Sequence, residues 1–297
     1  MENGTTAPFL EDILGNKDMM HKLRKILEIY KREQSVEKNR NHIDSKTGLT
    51  PLERNRLSKL PAFVKGETNI FEHPFVFSDA MAFLHSIDEI FKDDIYKFNT
   101  KSTAPLIIDC GSNIGLSIYY FVRQYPKSKI IAFEPDPEIF NLLQENIKTF
   151  SSKDNITLHE AAVWTEETEL DFFIEGTLGG SINVDYRNKN YIRKVKAIDL
   201  KKYLSQKVDF LKIDIEGAEN TVIFDIQPYL HNVDKIFLEY HGLLNEKQNL
   251  AEILNLLTKN HFEYYIRVAG DTLRHPFCDE KHHVFNQQLN IFCYKIK

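Results

Sequence analysis

Leu106-Ile-Ile-Asp-Cys-Gly-Ser-Asn-Ile-Gly115 is the stretch whose reading decides the fold. Leu106 to Ile108 make a short apolar strand, Asp109 closes it, and Gly111 and Gly115 frame a turn. Leu116 to Val122 then reads as an amphipathic helix. Glycine at such a turn brings backbone close to a ligand, because no Cβ stands in the way. The helix start behind it offers free N–H groups and a positive dipole end. The spacing is Asp-x-Gly-x-x-x-Gly, not the Gly-x-Gly-x-x-Gly that cradles the pyrophosphate of nicotinamide dinucleotides. An acid at position 109 also suits a cationic or hydroxyl-bearing ligand better than a phosphate.

Working outward, Lys129-Ile-Ile-Ala-Phe-Glu-Pro135 reads as the next buried strand, ending in Glu134. Glu134 follows Asp109 by 25 positions, room for one turn, one helix and one strand. An acid closing the second strand of such a unit sits beside the first turn, where it can accept hydrogen bonds from a ribose diol. Asp136-Pro137 supplies an N-cap and an N1 proline. Phe140, Leu143, Ile147 and Phe150 share one face of the helix that follows. Strand patterns recur at 106–109, 130–134, 156–160, 170–174, 194–197, 208–213 and 235–240. Alternation of strands with helices predicts a mostly parallel sheet. Leu250, Ile253, Leu254 and Leu257 mark a late helix, and Phe262–Val268 and Leu289–Ile296 read as two closing strands.

Residues 106–115, Phe133-Glu-Pro-Asp136, Asp209-Phe-Leu-Lys-Ile-Asp-Ile-Glu-Gly-Ala-Glu219 and Leu238-Glu-Tyr-His241 together resemble the FkbM family of S-adenosylmethionine-dependent methyltransferases. The likeness covers roughly residues 70–270. It implies a class I methyltransferase (Rossmann-like) fold: an α/β, mostly parallel sheet with an antiparallel closing strand, here with a helical N-terminal extension. It also implies O-methylation of a hydroxyl on a small molecule, sugar or glycan.

Ligands of open α/β sheets bind beyond the carboxyl ends of the strands. The expected cofactor rim is Asp109, Gly111, Asn113, Gly115, Glu134 and Asp136, with Ala161 beside the adenine. Asn113 is also explained by helix capping alone. Asp214, Glu216, Glu239 and His241 end the next two strands and form the expected reaction centre. Strand alternation places Asp214 and Glu216 on one side if the strand stays extended. An alcohol must lose its proton as it attacks, and His241 is the expected base, with Asp214 as orienter and Glu239 beside them. A rival reading has Asp214, Glu239 and His241 hold Mg²⁺ or Mn²⁺. A second group, His275 to His283 with Cys278, matches no closed zinc site well. Gly176 to Asn183 reads as a loop beside the acceptor.

The chain has 297 residues, 42% hydrophobic and 27% charged, as in ordinary globular proteins. Its net charge of −5 argues against bulk nucleic-acid binding. Three scattered cysteines form no disulfide framework. No apolar run has the length of a membrane span and no signal peptide is seen, so the expected location is cytoplasmic. Residues 1–68 are expected as a helical extension and connector, and 69–297 as a cap segment with the cofactor-binding domain. Met19 to Val36 can form a helix with Leu23, Ile26, Leu27 and Tyr30 on one face and Lys22, Arg24, Lys25, Lys31 and Arg32 on the other. A solvated face is the plain reading. Docking on an acidic partner, a membrane surface or a second copy, as a homo-oligomer contact, is the sharper one. Two rivals stand beside the methyltransferase reading: a non-catalytic module that keeps the cofactor fold, and a nicotinamide-dependent oxidoreductase.

Overall fold

The strand that ends in the glycine turn lies at the centre of a seven-stranded sheet. The computed structural model describes residues 42–173, 192–243, 247–270 and 285–295, together with 21, 24–29, 31, 275, 277 and 278. Its strands are, in chain order, β1 (Gly66–Ile70), β2 (His73–Phe77), β3 (Leu106–Cys110), β4 (Lys129–Phe133), β5 (Ile156–His159), β6 (Ala162–Trp164), β7 (Thr168–Phe173), β8 (Ile192–Asp199), β9 (Phe210–Ile213), β10 (Lys235–Leu243), β11 (Phe262–Val268) and β12 (Phe285–Lys295). The helices used below are α1 (Pro51–Leu57), α2 (Ala80–Ile87), α3 (Leu116–Gln124), α4 (Pro137–Ile147), α5 (Glu219–Asp225) and α6 (Leu250–Lys259).

The large sheet has the order β11-β12-β10-β9-β3-β4-β5. Neighbours from β5 through β10 are parallel, and β12 inserts antiparallel between β10 and β11. Strand order reverses between β3 and β9, so a crevice opens beyond their carboxyl ends. The parallel strands are buried on both faces, which explains their continuous apolar runs. One core, on the face of α3 and α4, includes Ile107, Phe121, Ile130 and Leu143. The other, on the face of α5 and α6, includes Ile108, Leu211, Ile223 and Leu257.

Local signals set the helices that flank the crevice. Asp136 caps α4, its Oδ1 accepting from the N–H of Glu138 at 2.8 Å and of Ile139 at 3.4 Å, with proline at the helix start. α3 starts after Gly115, which has φ +92°.

Two expectations change. The strands expected at 170–174 and 194–197 leave the main sheet. As β7 and β8 they pair antiparallel with each other, and β8 pairs with β6, in a small separate sheet around Ala162, Phe172 and Val195. The expected boundary at 68/69 cuts through β1, because Leu49 and Leu57 are already fully buried in the same core as β3. The cap is a hairpin (β1 and β2), then α2, then a π-helical turn at Asp88–Lys92. Residues 176–183 and most of the His275–His283 group lie outside the described residues.

Candidate active site

A cleft of ≈1360 Å³, measured out to open solvent, runs along the carboxyl ends of β3, β4, β9 and β10 and under the cap. Gly111, Asn113, Glu134, Asp136 and Ala161 line one end; Lys212, Asp214, Glu216, Glu239 and Gln288 line the other. From the cap come His85, Glu89 and Tyr96.

At the first end, Glu134 is held by the glycine turn itself. Its Oε2 accepts from Asn113 N–H and its Oε1 from Asp136 N–H, each at 2.9 Å. Burial dominates and pushes its pKa up to about 8, although those two N–H groups pull it down. Asn113 has φ +47°, and its Oδ1 accepts from the Ile114 N–H at 2.7 Å. The amides of Gly111 and Ser112 donate to the Phe133 carbonyl, and that of Gly115 to the Ser112 carbonyl. All five turn amides from 111 to 115 are therefore spent inside the protein, which removes the pyrophosphate cradle a dinucleotide needs. A Cβ on Gly111 would stand 1.9 Å from the Asp214 carbonyl oxygen. That glycine is required by the close approach of the β9 end.

Asp109 departs from the rim on which the sequence placed it. It is fully buried beneath the turn and does not line the cleft. Its Oδ2 accepts from Ser117 Oγ at 2.5 Å, and its Oδ1 lies 3.4 Å from Lys212 Nζ with no hydrogen bond. Lys212 is the central cation. Its Nζ donates to the Gly111 carbonyl at 2.8 Å and pairs with Asp214 Oδ2 at 3.1 Å. Burial opposes its charge, but Asp214, Tyr96 and Asp109 outweigh burial and keep it firmly protonated.

The strand does not stay extended past Ile213, so the expected alternation of Asp214 and Glu216 fails. Glu216 takes φ +53° and Gly217 φ +100°, and Asp214, Ile215 and Glu216 all reach the cleft. Buried Glu219 staples this turn to β10. Its Oε2 accepts from Gly217 N–H at 2.8 Å; its Oε1 accepts from His241 N–H at 2.8 Å and meets Nδ1 at 3.0 Å.

His241 is fully buried and lies behind the lining rather than in it. Its Nε2 is 3.6 Å from Glu216 and 3.7 Å from Glu239. Burial disfavours the imidazolium, but Glu219, Glu216 and Glu239 outweigh it and raise the pKa well above the usual value. Glu239 accepts from Gln288 Nε2 at 2.8 Å, and burial, then Asp214, raises its pKa strongly. Glu89, raised by burial, accepts from Asn290 Nδ2 at 3.0 Å. Asp214, Glu216 and His241 each bring one ligand-type atom within 4.8 Å of the others. Glu216 thus stands where the sequence had put Glu239 in a metal set.

Sequence reasoning missed Glu219, Lys212, Glu89, Tyr96 and Gln288 as parts of the site. A lysine inside the buried run Phe210-Leu-Lys-Ile213 was a readable signal, since such a charge requires partners. The other four carried none.

A sheet ordered in this way, with its penultimate strand position filled antiparallel and its acids at the switch point, is that of a class I methyltransferase. The methyltransferase FkbM domain family matches residues 109–264, and the chain belongs to that family. It is 27% identical over 172 residues to methyltransferase sdnD of Sordaria araneosa, a match over 46% of this chain and 65% of that protein. It is 26% identical over 205 residues to methyltransferase 1 of Beauveria bassiana, over 61% of this chain and 80% of that protein. It is 27% identical over 198 residues to the 2-O-methyltransferase NoeI of Sinorhizobium fredii, over 57% of this chain and 78% of that protein.

Proposed function

We propose that this chain is an S-adenosylmethionine-dependent O-methyltransferase acting on a hydroxyl of a small molecule, sugar or glycan. The observation that carries the reading is one cleft joining Glu134 and the glycine turn to Asp214 and Glu239. Family membership supports methyl transfer, and the name of the NoeI relative supports oxygen as the acceptor atom. S-adenosylmethionine supplies a methyl group on a sulfonium whose thioether leaves neutral, so no acid need assist its departure.

The residues fit that cofactor. Glu134 would take the ribose diol, because each of its oxygens accepts only one backbone N–H, and a carboxylate has about four acceptor sites. Asp136 stands beside it. Gly111 and Asn113 shape the end for the amino-acid portion, Gly115 turns the chain behind them without lining the cleft, and Ala161 with Ala162 and Val163 leaves an apolar wall for adenine. Asp109 works from below, holding Lys212 and the start of α3.

At the other end Asp214, paired with Lys212 at 3.1 Å, orients the acceptor hydroxyl. Glu239 is the base in this reading, since it lines the cleft beside Asp214 and burial raises the proton affinity of its carboxylate. His241 is a positioning residue in this reading: it lies behind the lining, with Nδ1 on Glu219 and Nε2 facing Glu216, Glu239 and Gln288. This replaces the expectation that His241 is the base. Holding the acceptor in line can contribute roughly 7–11 kcal/mol to lowering the barrier.

The test is transfer of labelled methyl from S-adenosylmethionine to a panel of sugars, oligosaccharides and small alcohols. Wild type should label at least one class, and Glu239→Gln should lower kcat by about 10²–10⁴-fold with cofactor binding kept. Cofactor binding without transfer to any acceptor would favour the non-catalytic module. A second reading adds Mg²⁺ or Mn²⁺, favoured by the convergence of Asp214, Glu216 and His241. Loss of turnover in EDTA, restored by the cation, would select it.

A further inference from the structure

The described helical residues 24–29 touch none of the protein's cores. Ile26, Leu27 and Ile29 are 62%, 54% and 57% exposed, three large apolar side chains within four positions. With 3.6 residues per turn, these three share one arc. Arg24 and Lys31 border the arc on one side, Lys25 on the other, and Glu28 takes the opposite pole. Residues 21–32 carry five basic residues and one acid in a chain whose net charge is −5. An apolar arc flanked on both sides by long cationic side chains suits a plane with hydrocarbon below and anions at its surface.

The protein itself offers a poorer partner. A second cleft, lined by Glu53, Glu67, Glu72 and Glu145, could attract the basic residues. Two of its acids are already neutralised: Glu53 pairs with Arg56 at 2.5 Å and Glu145 with Lys65 at 3.0 Å. Among the described residues no helix is long and apolar enough to cross a membrane, so the segment would lie on a bilayer rather than through it.

We propose that the helical residues 24–29 and Lys31 lay this protein on an anionic lipid surface, with Ile26, Leu27 and Ile29 entering the acyl boundary and Arg24, Lys25 and Lys31 meeting the headgroups. The inference is independent of the catalytic reading. Binding draws on two forces, buried apolar area and attraction to acidic headgroups, and both should be needed.

The experiment is co-sedimentation of the full chain with vesicles of phosphatidylcholine alone, and of phosphatidylcholine with about 30% phosphatidylglycerol. The protein should pellet with the acidic vesicles, stay in solution with the neutral ones, and be released by high salt. Arg24→Glu with Lys25→Glu should weaken partition at least about tenfold. Ile26→Ser with Leu27→Ser should do the same by the apolar route, and both pairs should keep the wild-type Tm, since these residues touch no core. Equal binding to both vesicle types, no binding to either, or binding that survives both double substitutions overturns the proposal. Sedimentation velocity adds a further outcome. A dimer lost in the Ile26→Ser, Leu27→Ser protein, without vesicle binding by wild type, would replace the lipid surface with a second copy.

Discussion

Removing the Glu219 carboxylate would strand three donors in a fully buried place: the Gly217 and His241 amides and the His241 imidazolium. Glu219→Ala should therefore cost about 3–5 kcal/mol, as for other broken buried pairs, read from urea denaturation. Glu134 makes a prediction in pH. Its carboxyl sits at about 8 in the folded chain against a usual 4.5. Below 4.5 both states are protonated and its contribution is intact. As pH rises toward 8, the unfolded chain releases the proton while the folded chain keeps it, so stability falls, and it levels off only above about 8. Relative to Glu134→Gln, wild type should lose on the order of a few kcal/mol across that window, measured as paired Tm values. Single residues also mark the limit of the sequence. Glu134 was readable as an acid of the cleft because its strand, turn and cap are all local. The setting of His241 was not, because its Nδ1 meets Glu219, 22 positions away.

At the scale of elements, the crevice depends on the tight approach of two strand ends. Gly111→Ala places a methyl against the Asp214 carbonyl and demands φ +82° of an alanine. It should abolish cofactor binding and lower Tm far more than Asp136→Ala, which removes one N-cap and costs about 1 kcal/mol. Scanning calorimetry of the two variants separates a steric requirement from a capping one. The elements around this crevice were legible in advance: Asp-x-Gly-x-x-x-Gly, the Asp136-Pro137 cap and the apolar strand runs are short-range signals. The bend after Ile213 was missed, since positive φ at Glu216 runs against its residue type and is imposed by the Glu219 staple. β7 and β8 were placed in the wrong sheet because alternation reports a strand but not its partner.

Across the whole molecule, the cleft is a joint product of sheet and cap. Glu89 and Tyr96 come from the segment before β3, and Gln288 from the last strand. Such convergence over long separations leaves no periodic trace, so the sequence named strand-end residues along the cleft but not Glu89, Tyr96 or Gln288. Glu89→Gln should leave cofactor affinity unchanged and raise the KM of the acceptor, because Glu89 lines the cleft from the cap side. The central claim is that Glu134 and the glycine turn form a site for S-adenosylmethionine. The measurement that tests it is calorimetric titration of the full chain with S-adenosylhomocysteine, alongside NAD and with Glu134→Ala as control. The account predicts saturable binding of S-adenosylhomocysteine at one site, weakened by Glu134→Ala, and no heat from NAD. Binding of NAD instead, or S-adenosylhomocysteine affinity untouched by Glu134→Ala, would contradict it.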